Sequence, residues 1–146
     1  MDISLLRRVP LFEVLKDDDL EAIARVTITR SFDKDRVIIL AEEEGDALFI
    51  IASGQVKISI VTEDGREVIL SLLGEGAVFG ELSLLDGKPR SANVVATEDT
   101  ELYMVRRTDF LQLVYKVPQI AVGLLAELAA RLRKTDRKIE GLALLD

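Results

Sequence analysis

The chain has 146 residues, a formal net charge of −7 and neither cysteine nor histidine. The absence of these residue types excludes thiolate-held iron–sulfur clusters, Cys/His zinc sites, His-ligated haem and His-dependent catalytic triads, so we expect no metal, no cofactor and no enzymatic activity. The negative net charge argues against direct binding of a nucleic-acid backbone. No apolar run approaches the roughly 20 residues of a membrane helix, and the N-terminus shows no secretory signal, so we expect a cytoplasmic protein without a membrane partner.

The first elements along the chain are a helical segment and a series of short strands. Asp17–Asp19 precede an apolar stripe at helical spacing and predict the N-cap of an N-terminal helix. β-rich runs bounded by turn residues follow, and Gly54 and Gly65 supply the positive φ that hairpin turns need. Many short strands at near-regular spacing predict a mainly β fold, an antiparallel jelly roll (double-stranded β-helix). The predicted strands are 26–32, 37–40, 47–52, 55–61, 67–73, 92–96 and 100–105.

A helical pattern returns after the last predicted strand. Thr108 is expected to cap a short helix, and Pro118 suits the first turn of a second, long helix. We therefore expect a β-roll domain over residues 1–116 and a long helix over residues 117–142. Gly141 is expected to end or bend that helix near a domain boundary.

Apolar residues along the long helix recur at alternating spacings of four and three. This is the a/d pattern of a helix that pairs with another helix, and the basic residues lie elsewhere around the cylinder. We therefore expect a homodimer formed through this helix. The alternative is that the stripe packs on the chain's own β-domain, because ordinary amphipathic helices look similar over so few heptads. The stripe consists of Ala121, Leu125, Leu128, Leu132, Thr135, Ile139 and Leu142.

The most informative stretch, residues 79–94, predicts a site for a small anion. It reads as a Gly-Glu turn, one short helical turn, a Gly-Lys-Pro break and an Arg-Ser pair that enters a strand. Main-chain N–H groups, the Arg90 guanidinium and the Ser91 hydroxyl can bind phosphate, whereas the Glu81 carboxylate accepts hydrogen bonds from sugar hydroxyls. The set predicts a ligand that combines phosphate with ribose. Taken singly, Arg90 could instead pair with Glu81, and Ser91 could satisfy a backbone group.

This stretch resembles the phosphate-binding cassette of cyclic nucleotide-binding domains, with its F-G-E-L…R-S-A-x-V pattern. The resemblance extends over nearly the whole chain, from the Gly45-Asp46 turn to the closing segment 142–146, and is to the bacterial catabolite activator protein (cyclic AMP receptor) family. It implies cyclic AMP as an allosteric ligand. It also implies that Glu81 binds the ribose 2′-hydroxyl with the Gly80 main chain in the same region, that Arg90 and Ser91 bind the cyclic phosphate, and that the Ala92 main chain binds a phosphate oxygen. Leu82 is a further candidate ligand-binding residue.

The resemblance selects two further residues on the long helix. Thr135, the polar member of the apolar stripe, matches the family position that hydrogen-bonds the adenine edge, although it could also be an ordinary threonine in the stripe. Asp136 stands where close relatives carry a hydroxyl residue that reaches the partner subunit's base, and this departure affects cross-subunit recognition. Both are candidate ligand-binding residues, and adenine is favoured over guanine.

The resemblance also implies a helix-turn-helix domain after a hinge at residues 143–146. We therefore expect the sensing and dimerisation module of a transcription regulator that contacts DNA only through a domain absent from this chain. Two alternatives stay open: a stand-alone or ligand-independent domain of the same fold, and a regulatory domain for another effector. A jelly-roll enzyme of the cupin kind is least favoured, because its metal is usually held by several histidines.

Overall fold

The computed structural model describes residues 3–41, 45–81 and 92–144. In this part of the chain two four-stranded antiparallel sheets face each other, and the predicted mainly β jelly-roll fold is confirmed. The strands are β1 (Thr27–Phe32), β2 (Val37–Ile39), β3 (Ala47–Ser53), β4 (Val56–Val61), β5 (Glu67–Leu73), β6 (Val78–Phe79), β7 (Asn93–Ala96) and β8 (Thr100–Arg106). Their orders are β1-β8-β3-β6 and β2-β7-β4-β5, so β5 and β6 each lie at a sheet edge.

The seven predicted strands are present, each within one residue of its expected bounds. The sequence reasoning missed β6, because two residues are too short to show alternation. β6 pairs with β3, and the rings of Phe49 and Phe79 stack with centroids 5.1 Å apart. The predicted positive φ is found at Gly54 (98°) and at Gly65 (84°). The hairpin at Gly65 joins the paired strands β4 and β5, but the hairpin predicted at Gly54 is wrong, because β3 and β4 lie in different sheets.

The helices are α1 (Ile3–Arg7), a 3₁₀ helix (Pro10–Phe12), α2 (Asp17–Val26), α3 (Arg107–Lys116) and α4 (Gln119–Leu144). Two predicted caps are wrong. Asp17–Asp19 form the first turn of α2 and follow the N-cap residue Lys16, whose N–H donates to the Asp19 carboxylate at 3.3 Å. Thr108 lies inside α3, because β8 passes into the helix without a loop and leaves Arg106 as the N-cap.

The long helix α4 has 26 residues and begins directly after Pro118, as expected. It neither ends at Gly141 nor stops at residue 142, since the helical backbone continues to Leu144. Glycine costs a helix only about 1 kcal/mol relative to alanine, which neighbouring turns can offset. The bounds 1–116, 117–142 and 143–146 stay predictions for the domains and the hinge.

Two apolar clusters hold the fold together. One lies between the two sheets and includes Ile51, Phe79 and Leu102. The other joins the helices to the β1-β8-β3-β6 sheet, and α4 contributes Ile120 and Leu124 to it. Among the described side chains, those of α4 that belong to this cluster lie in its first half.

Gly123 lies where α4 crosses the 3₁₀ helix. A Cβ atom at Gly123 would stand 2.4 Å from the carbonyl oxygen of Leu11, far inside van der Waals contact. Glycine is therefore required for the two backbones to approach this closely. This contact fixes the position of the N-terminal segment on α4.

The apolar stripe of α4 divides between the two predicted environments. Leu128 packs against the chain's own core, whereas Leu125, Leu132 and Ile139 are 66%, 63% and 59% exposed. Packing on the β-domain therefore accounts for only part of the stripe, and the remainder forms an exposed apolar face.

Among the described residues, no single helix is long and apolar enough to cross a membrane. The α3 helix and the Gln119–Arg137 part of α4 meet that test of length and composition only as a pair, and they are bent by 114° at the break between them.

Candidate functional site

The turn after β6 places a carboxylate inside the protein. β6 ends at Phe79, and Gly80 has a φ of 86°, a conformation that side-chain-bearing residues rarely adopt. The chain thereby turns inward, and Glu81 is only 5% exposed. The predicted Gly-Glu turn is present, and a buried carboxylate requires a charged or hydrogen-bonding partner.

Arg131 of α4 is that partner. Its Nη1 forms an ion pair with Glu81 Oε1, and its Nη2 donates a hydrogen bond to the carbonyl oxygen of Val78. Its Nε lies 3.4 Å from Oε1 of Glu127, one helical turn earlier. One guanidinium thus ties α4 to both the end of β6 and the turn that follows. The sequence-based alternative of a Glu81–Arg90 pair is not tested, because Arg90 lies outside the described residues.

A cavity of about 440 Å³ lies between β4, β5 and α4, next to this ion pair. Its volume falls in the range of pockets that hold small organic ligands. The sheet wall is mostly apolar, and the helix wall carries ionic and hydroxyl groups. The sheet side is lined by Ile58, Leu70, Ser71, Leu73 and Ala77, and the helix side by Glu127, Ala130, Arg131, Lys134 and Thr135.

The structure places Thr135 in the lining of this cavity, and its role in ligand binding stays a prediction. Its Oγ1 donates to the carbonyl oxygen of Arg131 at 3.1 Å. A hydroxyl has a single proton, so Thr135 Oγ1 faces the cavity as an acceptor. Asp136 is exposed and is not among the described residues that line the cavity. Successive helical residues are about 100° apart around the axis, which places Asp136 on another face.

The remaining candidates belong to the segment between Glu81 and β7. Leu82, Arg90 and Ser91 lie outside the described residues. Ala92 is half-buried and stands directly before β7. The roles proposed for these four residues remain predictions.

Sequence reasoning missed Arg131 as a site residue and placed it only among the basic residues of the helix surface. A signal was available, because Arg131 precedes Thr135 by four residues and therefore lies on the same helix face. Lys134, three residues after Arg131, was missed in the same way. Ser71, on the opposite wall, follows an exposed apolar run, and nothing in its own pattern marks it.

Comparisons with known proteins identify the family of the chain. Residues 29–116 match the model of the cyclic nucleotide-binding domain family. A cyclic AMP receptor protein of Thermus thermophilus is 39% identical over 131 residues, which are 90% of this chain and 61% of the relative. A CRP-like cAMP-activated global transcriptional regulator of Mycobacterium tuberculosis is 30% identical over 98% of this chain and 64% of its own length.

The same relationship appears among solved structures. The catabolite activator protein of Thermus thermophilus superposes with a TM-score of 0.84 at 39% sequence identity, covering 92% of this chain and 63% of that structure. The chain thus spans about three fifths of the length of these relatives.

Proposed function

Because the chain belongs to the family of cyclic nucleotide-binding domains found in CRP-like transcription regulators, we propose that it senses cyclic AMP. The observation that carries this proposal is the buried Glu81 carboxylate, whose partner Arg131 lines a cavity of ligand size. A buried carboxylate suits a sugar hydroxyl, since it accepts hydrogen bonds strongly.

The ligand is proposed to lie with its ribose at Glu81 and its base in the cavity beside Thr135. The Arg131 ion pair uses Oε1 of Glu81, and a carboxylate has about four acceptor sites, so a ribose 2′-hydroxyl can donate without displacing Arg131. Arg90 and Ser91 would bind the cyclic phosphate. The main chain of Gly80, Leu82 and Ala92 would complete the site.

Signal transmission would follow from contacts on both sides of the cavity. A nucleotide that touches Glu81 and Thr135 contacts the β-roll and α4 at once. If α4 can adopt two positions relative to the β-roll, the nucleotide favours one of them only to the extent that it binds the two with different affinities. Arg131 joins these two parts already, so it would carry the bias to the helix.

The exposed side of α4 is proposed to form a homodimer. Leu125, Leu132 and Ile139 are each more than half exposed, and burying such a side chain stabilises association by roughly 1.5–3 kcal/mol. DNA would be contacted by residues beyond the 146 of this sequence. Such a regulator would act in the cytoplasm, where its DNA lies.

The test is calorimetric titration of the chain with cyclic AMP and with 2′-deoxy cyclic AMP. We expect binding of cyclic AMP, and we expect Glu81→Gln to lower its affinity about tenfold, because one charge-assisted hydrogen bond is weakened. The variant should bind the deoxy analogue with nearly unchanged affinity.

Glu75→Gln is the matched control, because Glu75 forms an exposed ion pair with Arg8, 3.4 Å long, and is outside the described lining of this cavity. It should bind both nucleotides as the unmodified chain does. Absence of any cyclic nucleotide binding would reject the proposal and favour a domain that is ligand-independent or serves another effector. Equal losses for both nucleotides in Glu81→Gln would reject the ribose role alone.

A further inference from the structure

Lys134 lines the cavity wall next to Thr135, yet its charge has no partner in the described part of the chain. It forms no ion pair there, and its side chain is exposed. The neighbouring cation, Arg131, already contacts Glu81, Val78 and Glu127. Lys134 is therefore the cation on this wall whose charge is not paired within the described residues.

The two adjacent residues present opposite hydrogen-bonding characters to the cavity. Thr135 Oγ1 has used its proton on the Arg131 carbonyl and offers an acceptor. The ammonium of Lys134 offers only donors. On adenine, the edge that carries N7 and the exocyclic amino group presents an acceptor beside a donor, whereas guanine presents two acceptors there. The pair of residues is thus complementary to adenine along this edge.

Their position along the helix agrees with this assignment. Lys134 and Thr135 lie three and four residues beyond Arg131 on α4, a displacement of roughly 5–6 Å at 1.5 Å per residue. Arg131 marks the ribose end of the cavity through its ion pair with Glu81. A base attached to that ribose would extend along the helix towards Lys134, which has a long and flexible side chain.

We infer that Lys134 is a base-binding residue whose ammonium donates a hydrogen bond to N7 of the adenine, while Thr135 accepts from the amino group. This inference rests on the proposed binding of cyclic AMP. Lys134 would then distinguish a base that has the N7 acceptor from a base that lacks it.

The test compares cyclic AMP with 7-deaza cyclic AMP, in which a C–H group replaces N7 without changing the size of the base. The unmodified chain should bind the 7-deaza analogue about tenfold more weakly, a difference of about 1.4 kcal/mol. Lys134→Met keeps the length of the side chain and removes its donors. This variant should bind cyclic AMP about tenfold more weakly and should no longer distinguish the two nucleotides.

Two further variants separate N7 recognition from a general effect of charge. Arg133→Met removes a positive charge from an exposed neighbour outside the described lining of the cavity, and it should retain the tenfold preference. Lys134→Arg keeps hydrogen-bond donors at this position and should retain most of the preference for cyclic AMP over 7-deaza cyclic AMP.

Equal loss of both nucleotides in Lys134→Met would overturn the inference, because Lys134 would then act on the phosphate or through its charge alone. Equal binding of both nucleotides by the unmodified chain would overturn it as well. Both results would leave the proposed function intact. Failure of the unmodified chain to bind either nucleotide would reject the proposed function together with this inference.

Discussion

Replacing Arg131 with methionine should destabilise the fold, because it leaves the buried Glu81 carboxylate without its charge partner. Glu81 is 5% exposed, and removing one partner of a fully buried ion pair costs about 3–5 kcal/mol. The Arg131 side chain is 34% exposed, so water already screens this pair on one side. We therefore expect Arg131→Met to lower the free energy of unfolding by about 2 kcal/mol, below the fully buried range.

A double-mutant cycle isolates the pair from other effects of the substitution. Glu81→Gln alone should cost about 1 kcal/mol, since the partly exposed Arg131 keeps water and Glu127 as alternative partners. The double variant contains neither charge, so its loss should fall about 1–2 kcal/mol short of the sum of the single losses.

Urea unfolding followed by circular dichroism gives these free energies. The chain contains no tryptophan to report by fluorescence, and the protein concentration must be fixed because association shifts apparent stability. Arg133→Met serves as the control for losing one exposed charge on the same helix. Strict additivity in the cycle, or a loss in Arg131→Met no larger than in the control, would refute the coupling between α4 and the β-roll.

Three further predictions concern α4. Replacing both Leu125 and Leu132 with lysine should give a folded monomer by sedimentation; an unmodified chain that is itself monomeric at every accessible concentration would contradict the proposed interface. Gly123→Ala should lower the free energy of unfolding by about 1–3 kcal/mol, because its methyl group would overlap the Leu11 carbonyl; thermal denaturation measures this, and unchanged stability would show that the crossing can relax. Thr135→Val should reduce cyclic AMP affinity up to about tenfold without changing stability by more than about 1 kcal/mol; unchanged affinity would return Thr135 to an ordinary position in the stripe.

The fold could be predicted from the sequence because the alternation of apolar residues in strands and the glycines in turns are local signals. Gly65 identified the β4–β5 hairpin, whereas Gly54 identified a turn with the expected positive φ that passes from one sheet to the other. The N-cap residues of α2 and α3 could not be predicted in the same way. Whether Thr108 caps a helix depends on how far β8 extends, which is decided by pairing with β1 and β3 rather than by neighbouring residues.

The sequence singled out candidate residues in the motif and, through the resemblance, Thr135 and Asp136 on the long helix, but not the contacts between them. Glu81 was recognised because a carboxylate stands out in an otherwise anion-binding stretch, but its ion pair joins residues 50 positions apart in the chain. Such a contact depends on the packing of α4 across the end of β6. The helix face shared by Arg131, Lys134 and Thr135 could have been deduced from spacing, whereas the facing wall on β5 could not.

The unequal anchoring of α4 has a consequence for its persistence as a helix. From Leu132 onwards every described side chain of α4 is exposed, and isolated helices shorter than about 12–15 residues are only marginally stable in water. In a lone subunit this distal part should fray, with backbone amides that exchange with solvent far faster than those near Leu124. Contacts with a second subunit would then stabilise the helical conformation of the distal turns, so that association and helix formation become a single cooperative event.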